Sequence, residues 1–322
     1  MRAFVTGATG FLGTHLVDAL LAQGTSVSCL VRSPAKASAL AEKGVRLVPG
    51  DLATGPALEE GCRDADVVFH LAGLIAAPDL NRFMATNRDG TASLLRACEG
   101  RRLRFVLVSS LAAAGPSTPG HPIDETWEPA PVTPYGASKL AGELLVRKAP
   151  LAWTVVRPPA VYGEWDRAFL KVFAFASRGF VPLVGDGSQE LSLVHGADVA
   201  RALVAVAATD RTVGRVYFAA HPEIVTARAV AEAVARALGR HARILPVPRA
   251  VARVLMGTVG RVARFAGGSS VLSSERAAEF LAPAWTCRAD ALRRDIGWEA
   301  RIDLATGLKR TAAWYHKEGW LR

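Results

Sequence analysis

The sequence predicts an α/β fold: a doubly wound parallel sheet sandwiched by helices, with a smaller, mostly helical C-terminal substrate lobe. Three observations carry that prediction. Short apolar runs alternate with segments of helical periodicity through the first half of the chain. Those runs are continuous rather than alternating in polarity, so both faces of each strand are buried, as in a parallel sheet covered by helices. Beyond residue 157 the rhythm breaks at Pro158-Pro159, and from His221 the pattern is mostly helical. With 322 residues the chain can bury a full core without disulfide or metal staples.

Taken in order, the first run is Ala3–Val5. A helix is predicted over Phe11–Gln23, with Phe11, Leu12, Leu16, Ala19 and Leu20 (and His15 in part) on its apolar side and Gly24 as its stop signal. Further strands are predicted at Val27–Val31, Val67–His70, Phe105–Ser109 and Trp153–Val156, and Arg215–Phe218 is placed to return to the sheet. The longest apolar run, Ala202–Ala208, reads as a short buried helix or strand. Helices follow over Thr226–Leu238, Pro248–Phe265, Ser273–Leu281, Ala289–Arg294 and Ala305–His316. The expected division is a dinucleotide-binding domain at 1–157, rejoined by about 190–220, and a discontinuous lobe of 158–189 and 221–322.

Composition narrows the class. Lys and Arg number 39 against 29 Asp and Glu, a formal charge of +10. The basic residues, mostly arginine, are scattered over the chain, and no recognisable module or aromatic-interleaved stripe supports nucleic-acid binding. Cys29, Cys62, Cys98 and Cys287 stand apart without zinc-ligand spacing, so neither a disulfide framework nor a metal is expected, and a reducing cytosol fits. No apolar stretch reaches the ~18 residues of a spanning helix, and Met1–Gly7 has no leader character. A soluble, cytoplasmic protein is expected.

The chemistry begins at Thr6-Gly7-Ala8-Thr9-Gly10-Phe11-Leu12-Gly13, between a strand and a helix. Gly7 permits a tight turn, Gly10 lets backbone approach a pyrophosphate, and Gly13 allows close helix–strand packing. The expected ligand is a nicotinamide dinucleotide. After the second strand, where an NAD site would carry Asp or Glu for the ribose 2′-OH, the chain reads Arg32-Ser33. Those donors favour a 2′-phosphate, so NADP is expected, with NAD as the alternative.

Tyr135 and Lys139 stand four apart, on one face of a predicted helix. An ammonium there favours the phenolate, lowering the tyrosine from its usual ~10 and fitting it for proton exchange with an alcohol or carbonyl. Upstream, a strand ends in Val108-Ser109-Ser110 at the carboxyl edge of the sheet, where open α/β sheets bind ligands. Ser110 is placed to hold the reacting oxygen against Tyr135.

TGATGFLG at 6–13, VSSLAAAG at 108–115 and YGASK at 135–139 resemble the extended short-chain dehydrogenase/reductase family, the epimerase/dehydratase superfamily built on a Rossmann-type sheet. Gly50-Asp51-Leu52, His70–Gly73, Asn87 with Gly90-Thr91, Arg157–Gly163, Gly185-Asp186-Gly187, Asp198-Val199-Ala200 and Ile296-Gly297-Trp298 extend the resemblance over the whole chain. It implies Tyr135 as general acid/base, Lys139 as its partner and Ser110 as the substrate-oxygen ligand. It also implies cofactor contacts at Gly7, Thr9, Gly10, Phe11, Leu12, Arg32, Asp51, Leu52, Leu71, Ala72, Gly73, Asn87, Ser109 and Pro158, beside Tyr135 and Lys139. Family habit suggests a homodimer through the helices near Thr91 and Lys139.

Departures from the family pattern select a branch. Sugar-nucleotide members carry an arginine for the diphosphate where this chain has Leu191, and a leucine supplies no cation or N–H donor. Dehydratases carry Thr-Asp-Glu where this chain has Ser110-Leu111-Ala112. Trp165, Phe169, Leu170, Phe173 and Phe175 are apolar and can line a substrate pocket or form lobe core. Leu111, Tyr162, Phe169 and Leu191 are the pocket candidates.

The expectation is thus an NAD(P)-dependent oxidoreductase acting on a secondary alcohol or ketone of an apolar or medium-sized small molecule, like dihydroflavonol-reductase or 3β-hydroxysteroid-dehydrogenase members. The alternatives are a sugar-nucleotide epimerase with bound NAD and a non-catalytic dinucleotide-binding scaffold or sensor. The segment 248–265 sets a valine face beside Arg249, Arg253, Arg261 and Arg264. It reads as a half-buried lid or dimer helix, or as a basic helix in weak contact with a membrane surface. His15, His195 and His221 read as separate core or surface positions, and His121, Asp124 and Glu125 as loop residues near the site.

Overall fold

The structure, a computed structural model, describes residues 1–265 and 277–321. Its strands in chain order are β1 (Arg2–Thr6), β2 (Ser26–Val31), β3 (Arg46–Pro49), β4 (Val67–His70), β5 (Arg104–Val108), β6 (Ala152–Arg157), β7 (Ala160–Tyr162), β8 (Phe180–Val184), β9 (Glu190–His195), β10 (Arg215–Phe218), β11 (Ile224–Thr226), β12 (Arg243–Val247) and β13 (Ala284–Trp285). The α-helices of the first half are α1 (Phe11–Leu21), α2 (Ser38–Glu42), α3 (Gly55–Cys62), α4 (Leu80–Met84), α5 (Gly90–Cys98), α6 (Leu111–Ala114) and α7 (Pro134–Lys148). Those of the second are α8 (Leu170–Ala176), α9 (Gly196–Ala207), α10 (Ala227–Ala237), α11 (Arg249–Phe265), α12 (Ala277–Leu281), α13 (Asp290–Ile296) and α14 (Leu304–Lys317).

Seven parallel strands form the main sheet in the order β3-β2-β1-β4-β5-β6-β10. The apolar strands β4 and β5 are buried along their whole length, as continuous apolar runs require. Between β1 and β4 the winding reverses, and in such sheets a ligand crevice opens beyond the carboxyl ends of the strands at that point. Sequence reasoning missed β3. It is a four-residue edge strand with exposed Arg46 and Pro49, so it lacks the buried run that marks its neighbours. The strand that leads to Ser109 and Ser110 is therefore fifth in the chain.

The chain leaves this sheet after β6 and returns twice. Helix α9 packs on α1, and β10 pairs with β6. The apolar run at 202–208 proves to lie mainly in that buried helix. Residues 190–195, by contrast, sit in the lobe: β9 pairs with β7, β11 and β13. Ala291, Leu292, Trp298 and Ala300, sequence neighbours of the lobe, fill the core under α1 and α9. The lobe has its own core, where Tyr162, Phe173, Val181, Leu193, Val234, Leu308 and Tyr315 meet. The expected helix over 273–281 is described only from Ala277, and its first part lies outside the described residues.

Cys62 on α3 and Cys98 on α5, 36 positions apart, approach as free thiols to 3.6 Å between Sγ atoms. Among the described residues no helix is long and apolar enough to cross a membrane, and no group of His, Cys, Asp or Glu is arranged to hold a metal.

Candidate active site

Gly7 holds φ +78°, and a Cβ there would lie 2.6 Å from Ala72 N. A Cβ at Gly13 would lie 2.1 Å from Gly7 O, so α1 starts in direct contact with the turn that precedes it. The N-terminus of α1 has no side-chain cap and no acidic residue in its first turn. Its N–H groups thus face the crevice with a positive dipole end, as an anion requires.

Around that turn, Thr6 Oγ1 meets His70 Nδ1 at 2.7 Å, and His70 Nε2 meets Thr91 Oγ1 at 2.9 Å. Complete burial and the nearby Lys139 push His70 down to about 3, so its ring is a neutral bridge from β1 and β4 to α5. At the far edge Asp51 accepts from Ala53 N and Thr54 Oγ1, which with Arg32 hold its carboxyl below the usual range. Arg32 is exposed at the end of β2, and Gly50 N bonds Val31 O, which brings the two strand ends together. A Cβ on Gly90 would strike Leu52, so that side chain is packed against α5.

The candidate catalytic edge is built from β5, the loop after β4, and α7. Thr133 caps α7 by accepting from Gly136 N, and Pro134 fills the first turn, so Tyr135 emerges at the helix start half-buried. Lys139, one turn on, is buried and donates to Val108 O at 2.6 Å. Burial brings its ammonium down to about 8, with the Glu143 carboxylate opposing the fall. Asn87 sits in a π-helical turn, accepts from Leu74 N at 2.7 Å and donates to Ser138 Oγ at 2.9 Å. A Cβ on Gly73 would lie 2.9 Å from Asn87 Oδ1 and 3.8 Å from Lys139 Nζ, so a side chain there would fill the gap between them.

The two serines have separate duties. Ser109 is buried and donates to Glu143, whereas Ser110 is partly exposed and accepts from Ala112 N at 3.1 Å, leaving its own proton for another acceptor. Sequence reasoning missed Glu143. Arg157 donates to it from Nε at 2.9 Å and from its terminal nitrogen at 2.5 Å, and both residues are buried. The signal was present: Glu143 stands four after Lys139 and eight after Tyr135, on the same helical face.

The pocket candidates divide. Tyr162 is 2% exposed, bonded to Asp303 O, and covered by Gly307 of α14; Phe169 packs beside it. Both belong to the lobe core, as does Phe173, because α14 closes over them. Leu111 and Leu191 lie together in an apolar cluster with Ile123, Phe218 and Trp285 directly behind Ser110. Glu125 accepts from Phe218 N, and burial raises its pKa, so it serves the fold. Pro158 O accepts from Leu111 N. Exposed Ile75, on the loop after β4, and exposed Trp127 and Val132, on the loop before α7, are apolar positions that the sequence reading did not select.

His15 and His195, read separately in the sequence, converge. Glu164 Oε2 lies 3.7 Å from His15 Nε2 and 3.2 Å from His195 Nε2, and Oε1 lies 3.1 Å from Arg310. The Oε2 contacts lack hydrogen-bond alignment, so these buried atoms lie close together without an aligned bond. Burial pushes His15 down to about 4. Burial alone would raise Glu164, but His195 and Arg310 hold it at about 2. The next residue, Trp165, has φ +68°, alone among the described non-glycine residues, and packs between His15 and Trp314.

Residues 3–220 match the model of the NAD dependent epimerase/dehydratase family. The chain belongs to that family. It is 33% identical over 318 residues to a ceramide reductase of Caulobacter vibrioides, covering 98% of this chain and 95% of the relative. It is 32% identical over 318 residues to the 4-hydroxy-2-methyl-3-oxo-4-farnesyl-3,4-dihydroquinoline-1-oxide ketoreductase of Stigmatella aurantiaca, covering 96% and 95%. Its fold matches that of UDP-glucuronic acid 4-epimerase from Bacillus cereus with a TM-score of 0.80 at 21% identity, over 99% of this chain and 100% of that one. Family and relatives together make it an oxidoreductase dependent on a nicotinamide dinucleotide. The glycine cradle and uncapped helix start fit that cofactor's pyrophosphate.

Proposed function

We propose that the protein is an NADP(H)-dependent ketoreductase that converts a ketone of an apolar, lipid-like molecule to a secondary alcohol. The observation that carries this reading is a buried Lys139 one helical turn after a half-buried Tyr135, together with a partly exposed Ser110 just past the end of β5. Gly7, Gly10 and the start of α1 would hold the pyrophosphate, Asp51 and Leu52 the adenine end, Lys139 and Asn87 the ribose side, and Arg32 a 2′-phosphate. When bound in reduced form, the cofactor supplies a hydride. Ser110 donates a hydrogen bond to the substrate carbonyl oxygen, keeping its proton, and fixes that oxygen beside Tyr135. Tyr135 then gives up its phenolic proton to that oxygen, and the Lys139 ammonium stabilises the phenolate left behind.

The apolar substrate is supported by Leu191 in the cluster behind Ser110, a side chain that offers a diphosphate neither cation nor N–H, and by exposed Ile75, Trp127 and Val132 on the flanking loops. Both reductase relatives carry names of lipid-like molecules. The reading includes a homodimer through α5 and α7, where Leu144 is 45% exposed, and a reducing cytoplasmic setting for the buried thiols.

The test is a consumption screen of long-chain and cyclic ketones with NADPH and NADH. Turnover of apolar ketones is expected, with NADPH preferred and the preference lost in Arg32→Ala. Tyr135→Phe should lower kcat by about 10²–10⁴-fold with the fold intact. Activity confined to sugar nucleotides would overturn the substrate reading, and unchanged turnover in Tyr135→Phe the catalytic one.

A further inference from the structure

One end of the lobe carries apolar side chains in water. On α11, Val251, Val254 and Leu255 are 48%, 66% and 54% exposed, and Leu245 on β12 is 44% exposed. Positions 251, 254, 255 and 258 share one helical face. Between 249 and 255 only Ala252 is buried, so this part of the helix is barely seated on its own protein. Arg249 and Arg253, both exposed, lie side by side on the side of α11 turned away from that face.

The surface continues along the ribbon of β8 and β12. Val247 lies in register with Val184 beside the start of α11, and Arg243 with Phe180 at the other end. There the Phe180 ring packs at 5.6 Å on Phe175, itself 38% exposed. Charge is one-sided. No Asp or Glu occurs between Glu232 and Glu275, a stretch with seven arginines. Asp186, in the turn after β8, is turned to Ser188 N and lies near Arg228.

We propose that α11 and the β8–β12 ribbon dock the enzyme on an anionic lipid bilayer. Exposed valine and leucine would enter the acyl boundary, while the long arginine side chains on the other side of the helix reach lipid phosphates at the headgroup level. A second copy of the chain is a poorer occupant. A twofold interface at this end would bring the two arginine-rich stretches of the copies together, and their like charges repel. The inference deepens the proposed function and takes its purpose from that reading: a ketone dissolved in a membrane is reached from the membrane surface.

The test is co-sedimentation of the full chain with vesicles of phosphatidylglycerol and phosphatidylcholine in equal parts, and with phosphatidylcholine alone. Binding to the anionic vesicles at 0.1 M salt is expected, at least tenfold above the neutral ones, and falling severalfold at 0.5 M salt. Val254→Asp with Leu255→Asp, and separately Arg249→Glu with Arg253→Glu, should each abolish it, with circular dichroism and NADPH affinity unchanged. Equal binding to both vesicles, binding to neither, or a concentration-dependent dimer dissolved by Val254→Asp would overturn the proposal. Turnover of a short soluble ketone is followed in parallel. Its absence, with vesicle binding intact, would reject the ketoreductase reading and leave the docking surface standing.

Discussion

Two buried carboxylates in this protein are held in opposite ways. Glu143, on the buried side of α7, receives two bonds from Arg157 and one from Ser109. Glu164, at the junction of the lobe with α1 and α9, is shared by His15, His195 and Arg310, and its inner oxygen has no aligned bond. The first arrangement over-determines position: Ser109, Arg157 and Glu143 fix β5, β6 and α7 to one another just below Ser110, Tyr135 and Lys139. The second balances charge among several partners, so its strength depends on which of them carry protons. The proton transfer proposed at the candidate catalytic edge needs fixed distances, whereas a junction between lobes tolerates adjustment.

The largest test of the contrast is Glu143→Ala. It leaves the Arg157 guanidinium buried without its partner, and a loss of about 3–5 kcal/mol is expected in denaturant unfolding. A loss below about 1 kcal/mol would erase the distinction from Glu164.

Acid comes next. His15 titrates at about 4 in the folded chain and ~6.5 unfolded, so its contribution to stability is present at neutral pH and is lost as pH falls from ~6.5 towards 4. Glu164, at about 2 folded against ~4.3 unfolded, keeps its contribution above ~4.3 and loses it as pH falls through about 2. On acidification the junction is therefore weakened first through His15, by about 2 kcal/mol at pH 5. His70, at about 3, acts in the same direction elsewhere in the first layer. Thermal melts should thus drop between pH 7 and pH 5, and His15→Gln should flatten the drop in part. A wild-type midpoint that stays level over that range would count against neutral buried imidazoles.

The smallest effect is expected at Arg310, whose side chain is 47% exposed. Arg310→Ala should cost no more than about 1 kcal/mol, read as a thermal shift. A cost above about 2 kcal/mol would make the junction as rigid as the catalytic edge.

The first layer was legible because its signals are local. A buried parallel strand is a continuous apolar run, a glycine turn has fixed spacing, and Tyr135 and Lys139 share one helical turn. Gly13 shows this well: its need for contact with Gly7 is written within seven residues. What escaped depends on distance or on weak pattern. The edge strand β3 offers only Leu47 and Val48 between Arg46 and Pro49, the convergence of His15, Glu164 and His195 spans 180 positions, and Cys62 meets Cys98 only because α3 packs on α5. Tyr162 looked like a pocket residue because its motif lies near the site, but α14, from the far end of the chain, covers it. Glu143 shared a readable spacing with Lys139 and was missed because its partner, Arg157, comes from another strand.

The path of the chain between its layers bears on how the protein can be divided. It leaves the main sheet after β6, comes back at α9 and β10, departs at β11, and returns once more to set Leu292 and Trp298 under α1. No single cut separates two self-sufficient pieces. A fragment ending near residue 220 would lack the side chains that fill the base of its own core, and the remainder would carry that apolar surface into water. The main-sheet part and the lobe are thus one unit of expression and inheritance, so a change in one is made within an intact whole.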